Sequence, residues 1–325
     1  MYKVKSPANI AFIKHWGMNS NGMPLASSLS MNLSSCFTET TIEFADNNSD
    51  TVFLENFNGE VRELKFGEDS RDDKVFQQIE LIRSNTKKKD FVKIVSKNSF
   101  PTKAGIASSA SGFSALTMGL VEAFGLEYSL QEIANLTAKA GSISAVRSLV
   151  DNFGAVSPET PESLALLKVD SFEKFKLVDL IAVVGTESKK NSSAEGQTVA
   201  ASSVFAVPRL LQVEINFKEI CELAESGNWS QIGEIIELEA IMLHSVMLTS
   251  KPRMSYLSPA SFEICEAVVA LREQGYNCYF TIDAGSNIHI ILPEKDLEIV
   301  KSEIEKLESV QFTITNYPCE GTKLI

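Results

Sequence analysis

One aspartate, one lysine, one arginine and a run of small residues carry the chain's chemical potential, and they lie far apart along it. Asp283 stands in Thr281-Ile-Asp-Ala-Gly-Ser-Asn287, between two apolar runs. A carboxylate can take a proton from a hydroxyl and stabilise positive charge beside it. A turn aspartate between two strands is the ordinary alternative. Lys14, in Ile13-Lys-His-Trp16, is a cation among apolar residues. Such a cation wants a carboxylate partner, unless it is an edge-strand lysine facing water. Arg147, in Ser144-Ala-Val-Arg147, carries a planar fork that suits a carboxylate; a surface arginine would look the same. The run is Pro101-Thr-Lys-Ala-Gly-Ile-Ala-Ser-Ser-Ala-Ser-Gly112. Gly105 lets the backbone approach a ligand closely. The helix that follows favours an anion at its N-terminus. Ser108 and Ser109 add hydroxyls for phosphate oxygens or a magnesium ion. No Gly-Lys-Ser/Thr ending is present, so this is not a Walker loop, and a plain helix-starting turn has the same composition.

The elements that must position these residues are mixed. Ala8 to Ile13, Thr38 to Phe44 and Phe91 to Val95 read as strands. Val75, Phe76, Ile79 and Ile82 have helical spacing over Lys74 to Arg83. A helix is expected from Phe113 to Phe124, and another from about Leu130 to Ala140, capped by Ser129 with Glu132 at capping-box spacing. Val178 to Val184 reads as a buried strand. Phe205 to Gly227 and Trp229 to Leu248 read as long helices, the second with Ser230 near its start, and Ser261 to Gln274 as another. Asn277 to Ile282 and Asn287 to Leu292 are expected strands around the Asp-Ala-Gly-Ser turn. A helix from Pro293 to Leu307 and a strand from Val310 to Thr315 close the chain. Strands and helices do not alternate as βαβ units, which argues for an α+β fold. The length of 325 residues suits two domains, and a boundary near residue 180 is expected.

Bulk properties exclude several functions. Net charge is −12, and no basic cluster exceeds Lys87-Lys88-Lys89, so nucleic acid is not an expected partner. The five cysteines are unpaired in spacing and read as reduced residues of a cytoplasmic protein. With only three histidines, the composition argues against a structural zinc site. No apolar run reaches the ~18 residues that span a bilayer, so no membrane partner is expected.

A family resemblance joins these residues. Phe100-Pro-Thr-Lys-Ala-Gly-Ile-Ala-Ser-Ser-Ala110 resembles the ATP-phosphate loop of the galactokinase, homoserine kinase, mevalonate kinase and phosphomevalonate kinase superfamily. Ser6-Pro-Ala-Asn-Ile-Ala-Phe-Ile-Lys-His-Trp-Gly17, continued by Leu25 to Leu33, is similar to the first motif of the diphosphomevalonate decarboxylases. Gly141-Ser-Ile-Ser-Ala-Val-Arg-Ser148 resembles their substrate loop and Asp283-Ala-Gly-Ser-Asn287 their third motif. The resemblance implies a two-domain α+β fold, ribosomal-protein-S5-like in residues 1–180 and ferredoxin-like in 181–325, with the active site in the cleft between. It implies ATP-dependent decarboxylation of mevalonate 5-diphosphate to isopentenyl diphosphate, by phosphorylation of the 3-hydroxyl, in isoprenoid precursor synthesis. ATP and Mg2+ would be needed, and a homodimer is common in the family. By the same resemblance Asp283 is the catalytic carboxylate, Lys14 keeps it ionised, and Arg147 holds the substrate's C1 carboxylate. Asn9 orients active-site groups, Ser142, Ser144, Ser192 and Ser193 are substrate contacts, and His15 is a candidate at the phosphate end. Pro101, Gly105, Ile106, Ala107, Ser108 and Ser109 would hold the nucleotide, with Ser108 on magnesium.

The sequence departs from the family at the phosphate end. Met18 stands in place of a lysine in Lys14-His-Trp-Gly-Met18, and Ala194 in place of an arginine. Ile143 and Asp151-Asn152 replace glycines. Each lost charge-assisted bond is worth roughly 1.5–3 kcal/mol. His15, Lys103 or Lys139 would have to compensate, or the substrate is mevalonate 5-phosphate. A kinase of the same superfamily without CO2 loss, and a non-catalytic binding protein, are the competing readings. The retained Asp283, Lys14 and Arg147 weigh against both.

Overall fold

The structure is a computed structural model and describes residues 1–46, 48–101, 108–140, 142–185 and 193–325. Two antiparallel-rich sheets organise it. The first is eight-stranded and contains β1 (Tyr2–Ile13), β2 (Ser28–Ala45), β3 (Thr51–Glu55), β4 (Val61–Leu64), β5 (Phe91–Asn98), β6 (Phe153–Thr160), β7 (Ser163–Lys168) and β12 (Lys323–Leu324). Its order is β12-β1-β2-β5-β3-β4, and β6 pairs with the start of β2 and carries β7. β2 is the spine: Thr38 to Ala45 pair with β5, and Ser28 to Met31 pair with β6. Its alternating Thr38, Thr40 and Ile42 are buried, as β-branched residues on a half-covered sheet should be. Helices α1 (Ser70–Ser84), α2 (Ser108–Phe124), α3 (Leu130–Lys139) and α4 (Ile143–Arg147) accompany this sheet. Ile42, Val92, Ile94, Leu116, Leu120 and Phe124 share one core with them. The capping box of Ser129 and Glu132 is present at the start of α3, as expected.

The second sheet contains β8 (Leu177–Val183), β9 (Tyr279–Thr281), β10 (Ile288–Pro293) and β11 (Phe312–Asn316), in the order β11-β8-β10-β9. β8 is buried along its whole length, which explains its almost continuous apolar sequence. Leu177, Ile181 and Val183 face a core shared with α6 (Ala206–Ser226), α7 (Trp229–Thr249) and β1. Val178, Leu180 and Ala182 face α8 (Pro259–Glu273) and α9 (Leu297–Ile304). Gly227 closes α6 at φ +81°, and Asn228 caps α7 by accepting from Gln231 N–H.

Several expectations shift. β1 and β2 run longer than their apolar cores suggest, and α2 starts at Ser108, five residues before the apolar pattern. α7 starts at Trp229 as expected, with Asn228 as its cap. The expected helix from Pro293 divides into a 3-10 turn, Glu294–Asp296, and α9. All five cysteines are free. Among the described residues no single helix is long and apolar enough to cross a membrane.

Candidate active site

β1 delivers Lys14 and the β9–β10 turn delivers Asp283, and the two meet. Lys14 Nζ lies 2.7 Å from Asp283 Oδ1. The lysine side chain is 2% exposed and that of Asp283 22%, so the carboxylate is the member open to the cavity. Burial pushes the Asp283 carboxyl upward, but the Lys14 ammonium outweighs it, helped by His289 and Arg147, and the carboxyl sits below its ordinary range. Burial lowers the Lys14 ammonium, opposed chiefly by Asp283 and then Glu239. A carboxylate so held is ionised and faces open space, where it can accept a proton. Asp283 is therefore more than a turn residue, although Gly285 N–H does close the turn on its carbonyl at 2.7 Å. Lys14 itself follows the last residue of β1 and is not an edge-strand lysine in water.

Arg147 ends α4 and is 3% exposed. Its Nε donates to Ser30 Oγ at 2.9 Å, Nη1 to Ser28 Oγ at 2.7 Å and Nη2 to Asn9 Oδ1 at 3.3 Å. A guanidinium has five N–H donors, so one on each terminal nitrogen stays free for an anion. Burial lowers its pKa to about 10, and Asp283 opposes the drop, so it is charged at neutral pH. Asn9 is 2% exposed and donates to Ser144 O at 2.8 Å and Ser148 Oγ at 2.9 Å. It braces Arg147 and α4 and does not line the cavity.

A cavity of about 1450 Å³ opens over these groups. Lys14, His15, Arg147 and Asp283 line it, as do Ser108, Ser109, Ser142, Ser144 and Ser193. It is large enough for a nucleotide and a small acid together. The first turn of α2, Ser108 to Ser111, carries no acidic side chain and faces the cavity through Ser108 and Ser109, which fits a phosphate chain. Ser142 Oγ lies 3.3 Å from Ser144 Oγ. Gly105, Ile106, Ala107, Lys103 and Ser192 lie outside the described residues; Pro101 is half-buried and not a cavity residue. Among the described residues no group of three His, Cys, Asp or Glu is placed to hold a metal. Magnesium would thus arrive on nucleotide phosphates and keep most of its water, as it prefers, with the Ser108 hydroxyl the ligand on offer.

His15 lines the cavity next to Lys14. Burial, with Arg147 and Arg209 nearby, lowers His15 to about 3, so its ring is neutral. Neither His15 ring nitrogen, nor Trp16 Nε1, nor Gln197 Oε1 has a well-oriented hydrogen-bond partner, and Gln197 lies beside the His15 ring. Met18 lines the same cavity and bridges to Pro24. Ser193 is exposed at the start of α5 (Ser193–Val199).

Sequence reasoning missed the groups behind the pair. Glu239, Arg209 and Asn216 are 0%, 4% and 1% exposed and surround the Lys14 peptide. Their signal was present: Arg209, Val213, Asn216 and Ile220 recur on one face of α6, two polar residues on a buried stripe. His244, lowered to about 4 by burial and then by Lys14, contacts the backbone of Ile282 and Asp283 from α7.

Comparison with known proteins agrees with this geometry. Residues 6–165 match the diphosphomevalonate decarboxylase-like N-terminal domain, and residues 179–320 the mevalonate 5-diphosphate decarboxylase C-terminal domain. The diphosphomevalonate decarboxylase of Candida albicans is 30% identical over 93% of this chain and 87% of its own. The phosphomevalonate decarboxylase of Haloferax volcanii is 24% identical over 90% of this chain and 88% of its own. A solved structure described as MDDEF in complex with MVAPP, AMPPCP and magnesium superposes with a TM-score of 0.90 at 30% identity, over 100% of this chain and 98% of that one. The motifs, the two-sheet fold and these matches agree: the chain belongs to the diphosphomevalonate decarboxylase family.

Proposed function

We propose that the chain decarboxylates mevalonate 5-diphosphate to isopentenyl diphosphate, using ATP to phosphorylate the 3-hydroxyl. The observation that carries this reading is an ionised carboxylate, Asp283, held by Lys14 in one cavity with the free N–H groups of Arg147 and the start of α2. Asp283 accepts the proton of the tertiary hydroxyl as phosphoryl transfer begins. Arg147 holds the C1 carboxylate through its two free N–H groups and fixes the bond to be broken. When phosphate leaves carbon 3, the same Asp283 stabilises the positive charge that develops there, and CO2 departs with its electrons left in the new double bond. Lys14 holds Asp283 ionised in the resting site, and the proton Asp283 accepts passes to the departing phosphate, so the carboxylate is restored as charge develops on carbon 3. Ser108 and Ser109 at the start of α2 receive the phosphates of ATP, while Ser142, Ser144, Ser193 and His15, which line the same cavity, are the contacts we assign to the substrate. Magnesium bound with ATP supplies charge neutralisation on the transferred group.

ATP with magnesium is supported by the ATP analogue and magnesium held by the solved relative. The reacting groups come from β1, α4 and the β9–β10 turn, which supports two units, 1–180 and 181–325, with the site in their cleft; β12 returns to the first sheet. A cytoplasmic homodimer is the assembly we propose, on the free cysteines and on the family's common state.

A second reading, mevalonate 5-phosphate as substrate, is favoured by the neutral His15 and by Met18 in the cavity wall. The experiment is ADP and CO2 stoichiometry with both substrates. Equal release with the diphosphate, at higher kcat/KM, supports the first reading. Preference for the monophosphate selects the second, ADP without CO2 selects a kinase, and no turnover removes all three.

A further inference from the structure

Lys14 sits where the sheet stops. The pairing of β1 with β2 ends at Ile13 and Leu29, so the Lys14 peptide groups have no strand partner. They are buried and must be satisfied by something. Two helices supply it. Glu239 Oε2, on α7, accepts from Lys14 N–H at 3.1 Å, and Arg209 Nη2, on α6, donates to Lys14 C=O at 2.8 Å. Arg209 and Glu239 meet each other at 3.3 Å, and Asn216 Nδ2 donates to Glu239 Oε1 at 2.7 Å.

A buried ion pair is a poor source of stability, because desolvation offsets its attraction, and apolar side chains of like volume often do better. What it does supply here is direction. One acceptor and one donor grip the two ends of a single residue, and that residue's side chain reaches Asp283 at 2.7 Å. Glu239 is not among the cavity-lining residues, and Arg209 reaches the cavity wall but bonds to Lys14 C=O and Glu239, with no bond to Asp283 or to Arg147, so the pair acts on Asp283 through Lys14.

We propose that Arg209 and Glu239 are positioning residues for the decarboxylation: their buried pair fixes the Lys14 peptide and thereby the ammonium that holds Asp283. This rests on the reading of Asp283 as the proton acceptor. The groups facing Asp283 are Lys14 after β1, Arg147 on α4, His289 on β10 and His244 on α7. Lys14 is the nearest and strongest of them. Loosening it raises the Asp283 pKa and moves the acid limb of kcat to higher pH.

The test uses Glu239→Gln, Arg209→Lys and the double variant Arg209→Met/Glu239→Met, each checked for folding by circular dichroism. Wild-type turnover of mevalonate 5-diphosphate comes first, and its absence counts against the functional reading alone. The expected result is a kcat lower by roughly ten- to a hundredfold, KM changed less than about threefold, and an acid limb shifted upward by about one pH unit, corresponding to about 1.4 kcal/mol on the Asp283 proton. Arg209→Lys, which keeps charge and one donor, should recover part of the loss. The double variant leaves no unpaired buried charge but strands the Lys14 peptide groups and Asn216, so it should fold with reduced stability and still lose kcat. Carbon-13 NMR titration of the Asp283 carboxyl reads the same shift without turnover. Folded variants with wild-type kcat, or an unmoved Asp283 titration, overturn the proposal.

Discussion

The two ends of the cavity are built differently. Around Asp283 every charge has a partner: Lys14 at 2.7 Å, three oxygens on Arg147, and a buried pair on the Lys14 peptide. Around His15 the polar atoms are buried without well-oriented partners, and Met18 lines the same cavity. Preorganised groups at the first end lower a barrier because they need no rearrangement when charge develops. At the second end the His15 ring is neutral and Met18 adds no charge to the wall. The reaction is thus fixed more firmly than the length of the substrate's phosphate tail.

The sharpest break in this contrast is Asp283→Asn. Removing the proton acceptor should lower kcat by roughly a thousandfold, within the usual range for general bases. It also strands the buried Lys14 ammonium, so a lower thermal midpoint should accompany it. Coupled ADP and CO2 assays measure the first effect and calorimetry the second. A variant with undiminished turnover would falsify the role of Asp283.

Arg147→Met is the next largest. Two charge-assisted bonds to the substrate carboxylate vanish, at roughly 1.5–3 kcal/mol each, so kcat/KM should fall by a hundredfold or more. Arg147→Lys should not restore it, because a point charge cannot serve Ser28, Ser30, Asn9 and a carboxylate together. Wild-type kcat/KM in the lysine variant would mean that the fork does not grip the substrate.

At the other end the change is a gain. Met18→Lys adds a cation to the cavity wall and should lower KM for mevalonate 5-diphosphate by about tenfold, the equivalent of one charge-assisted bond. KM for the 5-phosphate should move less. Equal effects on both would show that the tail does not reach residue 18.

How much of this was legible in the sequence follows the same division. Strong periodicity made β2, α3 and α7 readable, and local motifs named Asp283, Lys14 and Arg147. β4 was missed because Val61-Arg-Glu-Leu64 is mostly exposed and lacks an apolar face, and β3, Thr51–Glu55, was missed although its Val-Phe-Leu run was a signal. β6 and β7 were missed because Pro158 interrupts the pattern, at a register shift in their pairing. The clamp on Lys14 was missed for a different reason. It joins residues 14, 209 and 239, on a strand end and two helices, and no local spacing reports a contact of that range. Polar residues on the buried stripe of α6 signalled that something was there, without saying what.

The smallest effect expected is on stability against pH, and it separates the two ends once more. His15 and His244 are lowered to about 3 and about 4, mainly by burial, so the folded protein keeps both neutral in mild acid. The unfolded chain protonates them near pH 6.5. The unfolded state therefore binds more protons between those values, and stability is full above about pH 6.5 and is lost as pH falls toward 4. For the almost fully buried His244 the loss between pH 7 and 5 is about 1–2 kcal/mol. His244→Gln should flatten that slope in urea unfolding, at some cost in stability at pH 7. His15→Gln should flatten it too, and a bound substrate phosphate should change the slope only while His15 is present, since His244 lies behind Asp283. An unchanged slope in both variants would place the acid sensitivity in the carboxylates instead.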